Sequence, residues 1–312
     1  MSHHLLQALA IFAAGLAAGT INTVVGSGTL ITFPTLLAFG YPPVLANVSN
    51  NVGLVPGVAS GVHGYRAELA GQRRRLLRLG SASLCGGLVG AILLLVLPAG
   101  AFKEIVPVLI GIALVMVVFQ PRLAKWVTAR QKARADAPGG DGGTVEAAAG
   151  GPAAGPEGTG VATVTAGPAI GPSGGTAVRA STVGVLRPAS QQAAPQLGGP
   201  VLWVLVFLTG MYGGYFGAAQ GVLLLALMGV AFTDSMQRIN AVKNVLSGLV
   251  NGVAAVVFIC VTHVDWGAAG LIAAGSVLGG QLGARIGRKL PPWGLRVLIV
   301  CVGTAALVKL LA

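Results

Sequence analysis

A chain of 312 residues that is 54% hydrophobic and only 9% charged falls far below the charge of soluble domains, about 25%, and cannot cover a water-facing surface. Several apolar runs approach the roughly 20 residues a helix needs to cross a bilayer, and the mean hydropathy is +0.81. The fold class is therefore an all-α polytopic membrane protein, with the lipid bilayer as its first partner.

The net charge of +12 does not point to nucleic acid. The cations cluster between apolar runs, at Arg66 with Arg73, Arg74, Arg75 and Arg78, at 122–134, and at Arg285, Arg288 and Lys289. Retention of Lys and Arg on the cytoplasmic side produces this pattern. Only Trp126 falls inside the clusters, too little aromatic surface for a base-stacking platform.

In chain order, the first apolar run covers 5–25. No Lys or Arg precedes Arg66, so the run lacks the basic start of a secretory signal and reads as a retained helix. It leads into "VVGSGTLITFP" at 24–34, where glycines and hydroxyl side chains interrupt the apolar pattern. A short apolar segment, 30–39, follows, then longer ones at 44–63, 79–97 and 105–119. From about Arg130 to Gly199 the sequence is dominated by Gly, Ala, Pro, Ser and Thr. Such a stretch lacks the large apolar side chains needed to offset ordering entropy, so 130–199 is expected to be a disordered linker between an N-terminal membrane repeat, 1–129, and a C-terminal one, 200–312. The second half repeats the order with segments at 201–218, a short 222–232, 241–262, 267–286 and 294–311. The whole chain then holds eight to ten membrane segments, depending on whether the short ones cross.

Shifting the first half by 193 positions superposes Gly28 on Gly221, Asn47 on Asn240, Asn51 on Asn244 and Gly90-Ala91 on Gly283-Ala284. One constant offset accounts for all of these pairs, which reads as a tandem repeat of one membrane unit, a common plan of secondary transporters. If each short segment reverses the chain, the halves are inverted and the three basic clusters share one side.

Interruptions at corresponding places in two repeats point to a binding site, because unwound backbone in hydrocarbon is tolerated only against protein or a water-filled cavity. A helix starting after such a break aims N–H groups and its positive dipole end into that space. Gly26, Ser27, Gly28 and Thr29 in the first half, with Gln220 and Gly221 in the second, are the candidate donors to a small anion. Asn22, one turn before the first break, is placed at the cavity wall. Asn47, Asn50 and Asn51 in "ANVSNN", and Asn240 and Asn244 in "NAVKN", put polar groups on one helix face at four-residue spacing. Lys243 is the sharpest case. It is either the charge partner of an anion or a residue that snorkels to the surface beside Arg238.

The remaining residues carry less. Cys85, Cys260 and Cys301 lie singly, without metal-ligand spacing, and read as small buried core residues. His63, at the end of its segment, is a weak proton-relay candidate, and Glu104 and Asp265 at segment ends are expected to be solvated. Gly275, Gly279, Gly283 and Gly287 form a small-residue packing face. No phosphate-binding loop, H-E-x-x-H or catalytic triad is legible, so no enzyme, metal or cofactor is expected.

With these residues in view, the chain resembles the TauE/SafE sulfite exporter family. The resemblance rests on "GLAAGTINTVVGSGTLITFPTLLAFGYPP", "ANVSNN" and "GGLVGA" in the first half, and on "GMYGGYFGAAQGVLLLALMG" and "RINAVKNVLSGLVNGVAAVVF" in the second. It implies a multi-pass inner-membrane protein that moves sulfite, organosulfonates or other small anions. Family breaks are richer in glycine than this chain, which has Ser27 and Thr29 in one break and Ala218-Ala219-Gln220 in the other. The expected function is a secondary transporter, an exporter, working by alternating access. An anion channel and a non-transporting membrane scaffold are the alternatives, and a homo-oligomer is left open.

Overall fold

The computed structural model describes residues 2–136, 199–232, 234–286 and 292–311. Among them are ten α-helices: α1 (Ser2–Val24), α2 (Thr29–Ala38), α3 (Pro43–Gly64), α4 (Arg73–Val96), α5 (Ala99–Asp136), α6 (Pro200–Tyr215), α7 (Gln220–Ala231), α8 (Met236–Val261), α9 (Trp266–Ile286) and α10 (Pro292–Leu311). A 3₁₀ turn, Arg66–Leu69, joins α3 to α4. The ten helices match the ten apolar segments one for one. Five of them contain stretches long and apolar enough to cross a membrane, in α1, α4, α5, α8 and α9. The chain is a multi-pass, all-α membrane protein.

Several helices begin ahead of their apolar segments, α4 and α5 most. α4 begins at Arg73, where the arginines are good helix formers that need no bilayer. α5 continues to Asp136 through Gln131, Lys132, Ala133 and Arg134, into the stretch whose composition reads as linker. Its candidate span ends at Arg122, so the last 14 residues extend the helix by about 21 Å at 1.5 Å per residue. The rest of that stretch, 137–198, lies outside the described residues.

Helix packing exchanges the two halves. α1 and α3 both pack on α9, and α4 packs on α6 and α8. Small residues set these seams. Gly275 and Gly279 bring α9 onto the backbone of Phe12, Leu16 and Thr20 in α1, as their four-residue spacing predicts; Gly287, the last of that series, is outside the described residues. Gly86, Gly90, Gly210 and Gly214 do the same between α4 and α6. Hydroxyls reinforce the seams: Thr20 Oγ1 donates to the Gly279 carbonyl at 3.1 Å, and Ser276 Oγ to that of Gly53 at 3.1 Å.

The order of contacts gives the helix directions. Gly53, Gly57 and Gly64 of α3 meet Ile272, Ser276 and Ala284 of α9 in turn, so these helices are parallel and Gly64 and Ala284 share an end. Gly15 and Gly19 meet Ile272 and Ser276, so α1 runs the same way. At the end marked by Gly64 lie the start of α4, the α7–α8 turn and the start of α6, where Trp203 Nε1 donates to Ser81 Oγ at 3.2 Å. α2 returns from the first break toward the opposite end, where Tyr41 lies beside Asp265. Burial, and then that carboxylate, push the Tyr41 phenol above its ordinary pKa.

An ion-pair cluster ties the halves at the Gly64 end. Arg75, 4% exposed, meets Asp234 at 2.7 Å, donates to Gln72 Oε1 at 2.6 Å, and stacks 3.8 Å above the Phe232 ring. Arg238 donates to the Ala70 carbonyl at 3.1 Å. Losing one partner of a buried pair strands the other charge, at about 3–5 kcal/mol for full burial. Because Asp234 is 27% exposed, Asp234→Asn is expected to cost roughly 2 kcal/mol, somewhat below that range, read as a lowered midpoint in a thermal melt of detergent-purified protein.

Three expectations change. Cys85, Cys260 and Cys301 are exposed on the helix surfaces rather than in the core. The outer face of a membrane helix is as apolar as its inner one, and a thiol suits either. Asp265 is more than a solvated end residue, since its Oδ1 caps α9 by accepting the Ala268 N–H at 2.8 Å. The 193-residue offset holds for the starts of α3 and α8 but not at the breaks. There α1 and α6 end, and α2 and α7 begin, 191 positions apart, and the two additional residues of α7 restore the register.

Candidate functional site

The two breaks are built alike. At the first, the N–H groups of Val25 and Gly26 both donate to the Ile21 carbonyl, at 2.7 and 3.0 Å, and Gly26 takes φ +91°. At the second, Phe216 and Gly217 donate to the Tyr212 carbonyl at 3.0 and 3.2 Å, and Gly217 takes φ +78°. A glycine in left-handed backbone is a common way to end a helix, because it carries no Cβ to clash. Ala219, φ +58°, is the one non-glycine residue in that region among the described residues. It immediately precedes α7.

The breaks touch. The Gly221 N–H donates to the Gly26 carbonyl at 3.1 Å, and a Cβ on Gly221 would lie 2.5 Å from the Gly26 Cα. A Cβ on Gly28 would meet the Ala18 carbonyl oxygen at 2.5 Å, so the start of α2 is pressed against α1. Phe33 of α2 packs edge-on against Phe216 of the second break, with centroids 5.2 Å apart. Tyr212 pins the second break by donating its hydroxyl to the Ala218 carbonyl.

The asparagine cluster reaches across the halves. Asn47 Nδ2 donates to the Tyr215 carbonyl, the last of α6, at 3.0 Å. In the reciprocal sense, Asn240 and Asn244 donate to the Thr23 carbonyl near the end of α1, at 3.0 and 3.3 Å. These carbonyls have no acceptor duty left inside their own helices, so the third helix of each half caps the first helix of the other. Asn50, the positional counterpart of Lys243, accepts from the Thr32 hydroxyl.

Lys243 has no exposure at all, so it does not snorkel to the surface. Its Nζ donates to the Asn22 carbonyl at 2.9 Å and to that of Thr23 at 3.4 Å. A cation there also complements the negative end of the α1 dipole. Asn22 thus enters the cluster through its backbone. Among the described residues no carboxylate lies within ion-pair distance of Lys243, and the two carbonyls use two of its three N–H donors.

Unpaired donors gather at the same place. The N–H groups of Ser27, Gly28 and Thr29 make no hydrogen bond among the described residues, nor do those of Ala218 and Ala219. Ser27 Oγ, with no exposure, and Gln220 Nε2, in a residue 3% exposed, are also without partners. Buried N–H groups are nearly always paired, so a run of them marks a place where something else accepts. The α7 start is different: its Gln220, Gly221 and Val222 N–H groups are taken by the Gly217, Gly26 and Ala219 carbonyls. The expectation of free N–H groups at both helix starts therefore holds for α2 and shifts to Ala218 and Ala219 in the second half.

Asn22, Gly26, Ser27, Gly28, Thr29, Asn47, Gln220, Gly221, Asn240, Lys243 and Asn244 lie at or against the two breaks, whereas Asn50 meets Thr32 within α2 and Asn51 is buried with its Oδ1 unpartnered among the described residues. Sequence reasoning passed over Thr23, Thr32 and Tyr212, whose roles depend on contacts across a break or between helices. His63, by contrast, is exposed and pairs with Arg66 at 2.8 Å, away from this cluster.

Comparison with known proteins gives the chain its relatives. A 115-residue stretch is 32% identical to a probable membrane transporter protein, ORF9, of Sinorhizobium sp, covering 36% of this chain and 43% of that protein. A 113-residue stretch is 28% identical to a probable membrane transporter protein of Haemophilus influenzae, covering 36% and 44%. The chain thus spans less than half the length of these curated relatives. No solved structure matches it. The family described as sulfite exporter TauE/SafE matches residues 11–310, through both halves and both breaks. The chain belongs to the TauE/SafE sulfite exporter family.

Proposed function

We propose that the protein is a secondary transporter of a small anion, sulfite or an organosulfonate, which it exports by alternating access between two inverted halves. The observation that carries the reading is the run of unpaired donors at the breaks beside Lys243, a buried cation with no carboxylate partner among the described residues. A cation taken out of water is costly unless an opposite charge accompanies it, and a bound anion supplies both that charge and acceptors for the N–H groups. Family membership supports the anion class.

Burial supports a moving mechanism over an open pore. Ser27 and Lys243 have no exposure, so an anion reaches them only when helices separate. The two ends of the bundle are held by different means, the Arg75–Asp234 pair at one and the Tyr41–Asp265 neighbourhood at the other. Each can loosen while the other stays closed. The end that carries Arg66, Arg73, Arg122 and Arg285 is the cytoplasmic one by the positive-inside rule, so the proposed export runs away from it.

The test is sulfite flux into proteoliposomes under an imposed proton gradient. Accumulation against the sulfite gradient is expected, and its loss in the double variant Ser27→Ala, Gln220→Leu. Flux that only ever dissipates the sulfite gradient would identify a channel, and no flux of any sulfur oxyanion would leave a scaffold.

A further inference from the structure

A cleft of about 390 Å³ opens between α5 and α7. Val115, Met116 and Phe119 form one wall and Val222, Leu223 and Ala226 the other, and Arg122 is the one charged residue among those lining it. Val115 and Phe119 are 57% and 51% exposed, so the cleft opens on the outside of the bundle, where the bilayer lies. The cation stands at one end: the Arg122 guanidinium sits 5.2 Å from the Phe119 ring centroid. Lys125, three residues further along α5, is exposed and shares that face. Beyond them the helix carries Arg130, Lys132 and Arg134 in sequence, toward the basic end of the molecule.

An apolar trough with a cation at its aqueous end has the polarity of a phospholipid turned inside out. Basic pockets between membrane helices on the cytoplasmic side take anionic head groups. The stretch 137–198 is a poor filler for the trough, since its Gly-, Ala- and Pro-dominated sequence has no run of large apolar side chains. We propose that this cleft seats one anionic phospholipid, with an acyl chain between Val115 and Ala226 and its phosphate on Arg122 and Lys125. Val222 and Leu223 directly follow Gly221, so the acyl chain braces the helix that leaves the second break.

The experiment is lipid retention by the purified full-length protein, read by native mass spectrometry after equilibration with equal phosphatidylglycerol and phosphatidylcholine of the same acyl chains. Phosphatidylglycerol is expected to be retained about tenfold over phosphatidylcholine, or about 1.4 kcal/mol. Arg122→Gln should erase the preference. Val115→Trp should lower retention of both lipids while the cation remains. Both positions are exposed, so neither substitution disturbs packing inside the bundle, and an unchanged melting midpoint checks it. Equal retention of the two lipids, or a preference that survives Arg122→Gln, overturns the proposal. So does retention that begins only after residues 137–198 are deleted, because the cleft would then belong to that segment.

Discussion

Lys243→Met is expected to abolish sulfite accumulation in proteoliposomes while leaving the protein folded. Hydrogen bonds to charged groups contribute about 1.5–3 kcal/mol. At 1.4 kcal/mol per tenfold, removing the ammonium should weaken sulfite binding roughly 10- to 150-fold, as calorimetry on the purified protein would measure. The fold has less to lose. Methionine has a similar volume, and removing the ammonium also removes the cost of holding a charge out of water. The Thr23 carbonyl keeps Asn240 and Asn244, and only that of Asn22 is left bare. Unchanged sulfite affinity, with a lowered melting midpoint, would reduce Lys243 to a cap on α1.

The second large effect is expected at Gly26. Gly26→Ala meets two penalties: left-handed backbone at φ +91°, about 1–2 kcal/mol for a residue with a Cβ, and overlap of that Cβ with the Gly221 backbone. Overpacking of this kind costs typically 1–3 kcal/mol, and here it lands on the hydrogen bond between the breaks. Gly40 is the internal control. It has φ +85°, yet a Cβ there would meet nothing within 4 Å. Gly40→Ala should therefore show the backbone penalty alone and transport normally, while Gly26→Ala loses transport and roughly twice the stability. Equal melting midpoints for the two variants would mean that the contact between the breaks contributes nothing.

Much of this was legible in the residues. Hydropathy located all ten helices, the glycine interruptions located both breaks, and four-residue spacing matches the shared acceptor of Asn240 and Asn244, the Thr23 carbonyl. What stayed hidden shares a cause. In a bilayer the lipid-facing side of a helix is as apolar as its packed side, so periodicity does not say which face is inside. That is why Cys85, Cys260 and Cys301 read as core residues and are exposed. Nor could local pattern find Lys243 on the Asn22 carbonyl, since the partners lie 221 positions apart. The two-residue slip between the halves escaped because Gly28 and Gly221 coincide at an offset of 193, while the helix starts pair Gly28, at φ −59°, with Ala219, at φ +58°. Gln220 is then the structural counterpart of Thr29, so the halves present different side chains at equivalent points of the site.

The exchange of partners between halves also bears on biogenesis. The carbonyls that end α1 are capped by side chains of α8, and Lys243 follows Thr23 by 220 positions. At roughly 5–20 residues per second, the ribosome needs on the order of ten to forty seconds to deliver that cap. Throughout the interval the end of α1 holds bare carbonyls, which hydrocarbon does not tolerate. Until α8 arrives, those carbonyls need water or head groups as their partners. The capping of the first helix is then completed by one of the last.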